Sequence, residues 1–490
     1  MAESATDYSA KTLPSGAKVI YEYTGKNYRV PGLFYEDNFK NMKMVVMDDI
    51  PSKQDLEVLL SQATPDLLVS PWPIQVIRGY KNYLPSTFKR ITSNMPEEMV
   101  QKYFGISRDW VPEKESALLQ LQSELSSKSA TMYAAIIHHR RDMGTIISKI
   151  HNLNRLYNIG RMQGFVGKRD YPLLFGDVKK KKNWDEILFR VKSAFEELME
   201  EVPIGNRQYP RQKKKINLSG KEIRRRYPHV EYLKSKLGDN LAAILVYGSS
   251  AREEDPSNYG DFDNWVMVRD IRAAYEALKG TSPNVIDGKV EELRDVDDDD
   301  LPKHAKHVGI NLLPESEERV YRHIRFLHDS REFLLHTNVV YGEFPFEKSA
   351  LQEVVPRGLS NAAVKSKTLL GMLNWAYARP DKIRGKPKLF EFVVKIPRFF
   401  LQHVLNAEGK PKFRDKHQLD KILSEAYDIK IPAYTNDPEK IKEIVKQTTA
   451  DIFKLKKAFI GVEADRKPDL SFLTDNRKFE WTQGSAIDLW

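Results

Sequence analysis

The sequence predicts an α+β protein of several domains, and three observations support this class. Residues 227–345 alternate apolar runs of strand length with helical patterns. Residues 113–165 and 346–460 instead repeat apolar side chains at helical spacing. The first 110 residues contain short β-branched runs separated by prolines. A chain of 490 residues that is 41% hydrophobic is long enough to bury several cores.

These patterns divide the chain into four consecutive regions. Residues 1–112 form an N-terminal mixed α/β region to which no chemistry can be assigned. Residues 113–226 are helical and contain a basic stretch at 179–226. Residues 227–345 form a mixed-sheet core, and residues 346–490 form a C-terminal helical domain with a tail.

The core region has the clearest elements. The apolar runs LAAILVYG, NWVMV and HVGINLLP predict three strands. Between them, IRAAYEALKG predicts a helix that ends at Gly280, and residues 317–336 predict a further helix. This alternation favours a sheet covered by helices.

Cysteine content and terminal sequence exclude several classes of protein. The chain has no cysteine, so a disulfide scaffold, thiolate zinc sites and iron–sulfur clusters are excluded. Any metal must therefore have oxygen or imidazole ligands. The first residues lack the pattern of a signal peptide, and no run of about 18 apolar residues predicts a membrane span. We therefore expect a cytoplasmic protein without a membrane partner.

The surplus positive charge is concentrated in one stretch. The whole chain carries +10, and residues 179–226 alone carry fifteen Lys or Arg against seven Asp or Glu. Dense positive charge attracts polyanions, because each neutralised phosphate releases counterions. A solvated linker between domains is the alternative interpretation. The candidate nucleic-acid-binding residues are two runs: Lys213, Lys214 and Lys215, and Arg224, Arg225 and Arg226.

One segment of the core concentrates the residue types that phosphate chemistry needs. The run LAAILVYG delivers Gly248 and Ser249 at its end, and Asp261 and Asp263 open the next predicted strand. Residues two apart on a strand point to the same face, so both carboxylates can share a metal ion. Mg²⁺ prefers carboxylates together with phosphate oxygens. A glycine at position 248 lets the backbone approach a phosphate closely. A turn cap is the structural alternative for Asp261, which follows a glycine.

This arrangement resembles the polymerase-β-type nucleotidyltransferase superfamily, in which an apolar strand, Gly-Ser and a later Asp-x-Asp strand form the site. The resemblance covers about a quarter of the chain, roughly residues 230–345. It implies that Asp261 and Asp263 hold Mg²⁺ or Mn²⁺. It also implies triphosphate binding by a set of residues near the turn: Gly248, Ser249, Ser250 and Arg252.

The family also has a third carboxylate on a later strand. The run HVGINLLP offers only Asn311 at the corresponding position, which is not an acid. The stretch KVEELRDV offers Glu291, Glu292 and Asp295, of which we favour Glu292 as the third catalytic acid.

The resemblance implies transfer of a nucleoside monophosphate from a nucleoside triphosphate to a hydroxyl group. The basic stretch favours RNA or another nucleic-acid 3′ end as the acceptor. Two other acceptors stay open, a small hydroxylated molecule or a protein, because VYGEFPF and the helical region after it resemble antibiotic-type nucleotidyltransferases. A nucleic-acid-binding protein on a decayed transferase core is the alternative from another class.

Overall fold

A computed structural model of the chain describes residues 11–28, 39–122, 124–125, 143–167, 184–202, 211–256, 259–293, 302, 304–316, 337–347, 370–407 and 416–456. These residues form an α+β protein, as the sequence predicts, in two compact units. None of the described helices is long and apolar enough to cross a membrane. The predicted helix at 317–336 and the basic run Lys179–Lys182 lie outside the described residues.

The first unit combines N-terminal residues with part of the C-terminal region. It contains the described residues up to Gln120 together with those of 370–405 and 416–456. Its strands are β1 (Lys11–Thr12), β2 (Lys18–Tyr28), β3 (Phe39–Met47) and β4 (Leu67–Pro73), in that order across one sheet. Its N-terminal helices are α1 (Lys53–Leu60), α2 (Ile74–Tyr83), α3 (Pro85–Thr92) and α4 (Glu97–Phe104).

The second unit contains the described residues from Leu121 to Glu347. Its strands are β5 (Arg211–Lys214), β6 (Leu241–Tyr247), β7 (Asp261–Val268), β8 (Pro283–Ile286), β9 (Lys289–Glu292), β10 (Lys306–Pro314), β11 (Asn338–Tyr341) and β12 (Phe344–Glu347). Its helices are α5 (Met143–Met162), α6 (Trp184–Glu201), α7 (Gly220–Arg226), α8 (His229–Leu237), α9 (Ser249–Arg252) and α10 (Ile271–Leu278). The three predicted core strands and the helix before Gly280 are therefore confirmed.

The described C-terminal residues include the helices α11 (Pro387–Val394), α12 (Ile396–Ala407), α13 (Lys416–Tyr427) and α14 (Pro438–Lys456). Helix α14 returns to the first unit, where the Lys446 ammonium lies 3.4 Å from a carboxylate oxygen of Glu57 on α1. Most of the described residues of the C-terminal region therefore lie in one unit with those of the N-terminal region. Hydrophobic periodicity identifies each element, but it does not say which distant elements pack together.

A six-stranded sheet organises the second unit, in the order β11-β6-β7-β10-β8-β9. Strand β7 lies at its centre, antiparallel to β6 and parallel to β10. The side chains of Val266 and Val268 on β7, like those of Ile310 and Leu312 on β10, are fully buried. Burial of this apolar surface stabilises the central strands of the sheet.

Candidate active site

The two aspartates open β7 at the same edge of the sheet. Asp261 is exposed and Asp263 is half-buried, whereas Phe262 and Asn264 between and after them are buried. Because side chains alternate along a strand, both carboxylates lie on one face. The structure therefore agrees with the geometry that the Asp-x-Asp pattern predicts.

The turn after β6 lies directly beside these carboxylates. Tyr247, the last residue of β6, pairs with Asp263 in the antiparallel register. Gly248 follows with φ +74° and ψ −152°, a backbone conformation essentially restricted to glycine. A Cβ added to Gly248 would lie 2.7 Å from the Oδ2 of Asp263. The glycine is thus required both by the backbone and by the carboxylate against it.

A second glycine lies on the other side of the same carboxylate. Gly309 on β10 pairs with Asp263 in the parallel register. A Cβ added there would lie 3.6 Å from the Oδ1 of Asp263. The Asp263 carboxylate therefore lies between two positions without side chains, which leaves space around its oxygens.

Tyr247 completes this face of the sheet. Its phenol oxygen accepts a hydrogen bond of 2.9 Å from the side-chain amide of Asn311 on β10. Burial, and then the charges of Asp263 and Asp261, raise the pKa of Tyr247 well above its ordinary value. The phenol therefore stays protonated at neutral pH. The shared electrostatic effect also indicates that both aspartates lie close to this hydroxyl.

The predicted third acid does not join this group. Glu292 ends β9 at the edge of the sheet, where its carboxylate pairs with Lys236 at 2.8 Å and accepts from Tyr232 at 2.9 Å. Strands β10 and β8 separate it from β7, a distance of about 14 Å at the usual strand spacing. This placement corrects the prediction for Glu292. On β10, the positions opposite Asp261 and Asp263 are His307 and Gly309.

The carboxylates at this edge of the sheet can be compared with the ligands that a divalent cation needs. In the part of the chain that the structure describes, no group of three or more His, Asp or Glu side chains is placed to hold a metal ion. Mg²⁺, however, is usually bound through only one or two protein carboxylates, with waters and substrate phosphates as the other ligands. Two carboxylates on one face, with space left by two glycines, fit that mode of binding.

The residues after Gly248 have divided roles. Ser249 is half-buried at the start of α9. It directly follows Gly248, which lies against the Asp263 carboxylate. Ser250 is only 1% exposed, and its hydroxyl donates to the Tyr247 carbonyl at 3.3 Å. Its side chain thus stabilises the turn from inside, which corrects the prediction that Ser250 binds the triphosphate. Arg252 is half-buried at the end of α9.

The lysine run does not form one uniform basic surface. Lys213 and Lys215 both pair with Glu343, at 3.3 and 3.4 Å. Strand alternation turns Lys214 the other way, where its ammonium donates to Thr337 at 3.3 Å. Burial lowers the pKa of Lys214 to about 7. Lys214 is therefore corrected as a nucleic-acid contact, and its two neighbours are partly neutralised.

The arginine run lies close to the glycine turn. Arg224 and Arg225 are exposed on α7, whereas Arg226 is half-buried. The Arg226 guanidinium donates to the carbonyl of Glu253, one residue beyond α9, at 3.1 Å. The structure thus brings Arg226 to the predicted phosphate-binding turn, a connection that the sequence does not indicate.

A buried asparagine on β7, Asn264, joins β7 to β10 and is itself held by a buried histidine, His229. The side-chain amide of Asn264 donates to the carbonyls of Phe262 and Gly309, both at 3.0 Å. Its Oδ1 lies 2.9 Å from the Nε2 of His229, which must therefore be the protonated ring nitrogen. Burial lowers the pKa of His229 to about 4. This neutral histidine positions the strand that carries both aspartates.

We expect this histidine to make stability fall in acid. Because its pKa is lower in the folded state, the unfolded chain binds the proton first, and stability is lost as the pH falls from about 6.5 to about 4. The loss amounts to about 3 kcal/mol of unfolding free energy. Urea unfolding of wild type and of His229→Gln from pH 7 to pH 4 measures it. The variant should lose less stability than wild type, and His151→Gln, at an exposed histidine, serves as control. Parallel pH profiles for wild type and His229→Gln would contradict the assignment.

Several residues of this site escape sequence reasoning. Tyr247, His229 and Asn264 lie in strands or helices whose patterns predict only packing. The resemblance identifies Asn311 only as the position where the family has its third acid, and the structure adds its hydrogen bond to Tyr247. No protein-family model matches the chain, and no curated protein is found to be related to it.

Proposed function

We propose that this protein is a metal-dependent nucleotidyltransferase that moves a nucleoside monophosphate from a nucleoside triphosphate to a hydroxyl group. The observation that carries the proposal is the close approach of Gly248 to the Asp263 carboxylate. A Cβ added to Gly248 would lie 2.7 Å from the Oδ2 of Asp263. This contact joins a turn suited to phosphates to the carboxylate pair. A tight turn alone would explain a glycine at position 248, but it would not explain why a carboxylate lies against that glycine.

The proposed roles follow from the arrangement. Asp261 and Asp263 would hold Mg²⁺ or Mn²⁺, which when bound supplies the positive charge that stabilises phosphoryl transfer. The backbone at Gly248 and the hydroxyl of Ser249 would orient the triphosphate. The acceptor oxygen forms a bond to the α-phosphorus, the bond to the bridging oxygen breaks, and pyrophosphate leaves. The acceptor proton passes to solvent. Most of the rate effect would come from positioning.

A nucleic-acid 3′ end is the acceptor that the surface charge favours. Arg224 and Arg225 are exposed on α7, whose last residue, Arg226, donates to the Glu253 carbonyl beyond the turn. Small hydroxylated molecules and proteins remain the other acceptors to be tested. A phosphodiester backbone suits adjacent cations better than a neutral sugar does.

A second candidate is a protein that binds nucleotide and nucleic acid without turnover. It is favoured by one observation: within the described ranges, no third acid accompanies Asp261 and Asp263. In the family that the sequence resembles, such an acid helps the acceptor to lose its proton.

A transfer assay tests the proposal. The protein is incubated with each of the four α-labelled nucleoside triphosphates, Mg²⁺ or Mn²⁺, and an RNA oligonucleotide. A parallel reaction contains total small molecules and protein from a cell extract. Label in RNA is the expected result, and label in a small molecule or protein would reassign the acceptor. Absence of transfer with tight binding of both ligands would favour the second candidate.

The salt dependence of RNA binding should separate the two basic runs. Each phosphate neutralised in a single-stranded complex contributes about 0.7 to the slope of log affinity against log salt. We expect Arg224→Ala with Arg225→Ala to flatten the slope by about 1.4. Lys213→Ala with Lys215→Ala should change it less, because Glu343 already pairs with both lysines. The salt slopes of both double variants are measured by filter binding at about 50 to 300 mM salt. Equal effects of the two double variants would contradict the distinction.

A further inference from the structure

Residues 249–253, which comprise the one-turn helix α9 and Glu253 and are called the loop below, follow the glycine turn and are held by side chains from the basic segment. The phenol of Tyr227 donates to the carbonyl of Ser250 at 3.2 Å. The guanidinium of Arg226 donates to the carbonyl of Glu253 at 3.1 Å and lies over the Tyr227 ring, 5.3 Å from its centroid. Two consecutive residues at the end of α7 therefore fasten both ends of this loop.

A third side chain closes the network. The side-chain amide of Asn338, at the start of β11, donates to the Tyr227 hydroxyl at 2.9 Å and to the carbonyl of Ala251 at 3.1 Å. Tyr227 is fully buried and so has a fixed position. The backbone of the loop thus depends on the position of Tyr227.

Helix α7, which ends at Arg226, is short and buries one side chain, Ile223. It begins with a capping box between Ser219 and Glu222, which fixes its start. Its last turn carries Arg224, Arg225 and Arg226, which the helix dipole favours at this end but whose like charges repel one another. A phosphodiester backbone on the exposed arginines would reduce that repulsion and further stabilise the last turn.

From this network we infer that binding of a nucleic-acid acceptor to α7 is energetically coupled to binding of the nucleoside triphosphate at the loop. The inference rests on the proposed function and adds its regulation. Acceptor phosphates on Arg224 and Arg225 stabilise the end of α7, and Arg226 and Tyr227 transmit this order to residues 249–253. Ordering by the first ligand reduces the entropy cost of the second, and the effect is reciprocal.

Binding and hydrogen exchange test the coupling without requiring catalysis. The probe for the loop is a non-hydrolysable triphosphate with Mg²⁺, and its affinity is measured with and without a saturating oligouridylate. An oligodeoxythymidylate of equal length tests whether RNA and DNA are equivalent. We expect the oligonucleotide to raise the triphosphate affinity about fivefold or more. Amide exchange of residues 248–253 should slow in its presence.

Matched variants separate the coupling from a general loss of structure. Tyr227→Phe removes the hydroxyl that contacts the loop, and Arg226→Lys keeps the charge but loses the planar guanidinium. Tyr227→Phe should bind the oligonucleotide as wild type does, and both variants should reduce the coupling factor to about one. Tyr259→Phe is the control, because Tyr259 packs on Phe262 as Tyr227 does, with ring centroids 5.4 and 6.3 Å from it. This control should keep full coupling.

The outcomes distinguish the inference from the proposed function. Triphosphate binding that is insensitive to the oligonucleotide would overturn the inference and leave the transfer proposal standing. Coupling that survives in both Tyr227→Phe and Arg226→Lys would also overturn it. Failure of wild type to bind any triphosphate would overturn both. If Tyr227→Phe proves unfolded, Arg226→Lys decides the matter alone.

Discussion

Replacing Asp263 with asparagine should abolish nucleotidyl transfer while the protein remains folded. The substitution removes one of the two carboxylates that face the glycine turn. Loss of a partner that merely orients a metal ligand typically costs 10- to 100-fold. Loss of the ligand itself should therefore exceed about 100-fold in transfer rate. Asp261→Asn should behave in the same way.

The stability of these variants should change in the opposite direction to their activity. Two like charges on one face repel each other without a cation, so Asp263→Asn should unfold at the same temperature as wild type or higher. Addition of Mg²⁺ with a triphosphate should raise the melting temperature of wild type and leave that of the variant unchanged.

Asp287→Asn supplies the control for lost charge. The Asp287 side chain is 82% exposed and pairs with His304 at 3.3 Å, in the turn between β8 and β9. It should transfer nucleotide at the wild-type rate. Near-normal transfer by either Asp261→Asn or Asp263→Asn would contradict the metal assignment and with it the proposed reaction.

Gly248→Ala should inactivate the site by a steric route. The added methyl group would lie 2.7 Å from Oδ2 of Asp263, closer than any normal contact, so either the carboxylate or the turn must move. The backbone conformation, with φ +74° and ψ −152°, adds strain of about 1–3 kcal/mol for alanine. Because displacement of about 1 Å at a reacting group can cost 100-fold, we expect a loss of that order in transfer rate.

Gly238→Ala separates the effect of backbone strain from the effect of the contact with Asp263. Gly238 precedes β6 with φ +49° and ψ −131°, and an added Cβ would have no neighbour within 4 Å. Its substitution should lower the melting temperature through backbone strain alone and leave transfer by the folded protein unchanged. Equal losses of transfer in folded Gly238→Ala and Gly248→Ala would show that strain, and not the Asp263 contact, is responsible.

The elements of the candidate site could be predicted because their causes are local. The apolar run ending at Tyr247 is a strand because its side chains are buried on both sides, and Asp261 and Asp263 share a face because strands alternate. The glycine at position 248 is equally local, since its backbone conformation is one that other residues rarely adopt. These features require no knowledge of distant segments.

The position of Glu292 depends on the order of the strands in the sheet, which a short stretch of sequence does not determine. Glu292 is close to β10 in sequence, yet the hairpin of β8 and β9 carries it to the edge of the sheet, where Lys236 and Tyr232 bind it. Strand order across a sheet depends on which surfaces become buried together. A single sequence does not contain that information in any short window.

By itself, the sequence determined the α+β class, the core strands and the Asp-x-Asp face, because each follows from periodicity within a few residues. The tertiary structure alone decided that residues 11–120 share one unit with the described residues of 370–405 and 416–456, that Lys214 is turned inward and that Arg226 reaches the loop after Gly248. The physical reason is that these contacts join segments far apart in the chain. Their formation is governed by the packing of whole faces and by the satisfaction of buried polar groups, which no local pattern encodes.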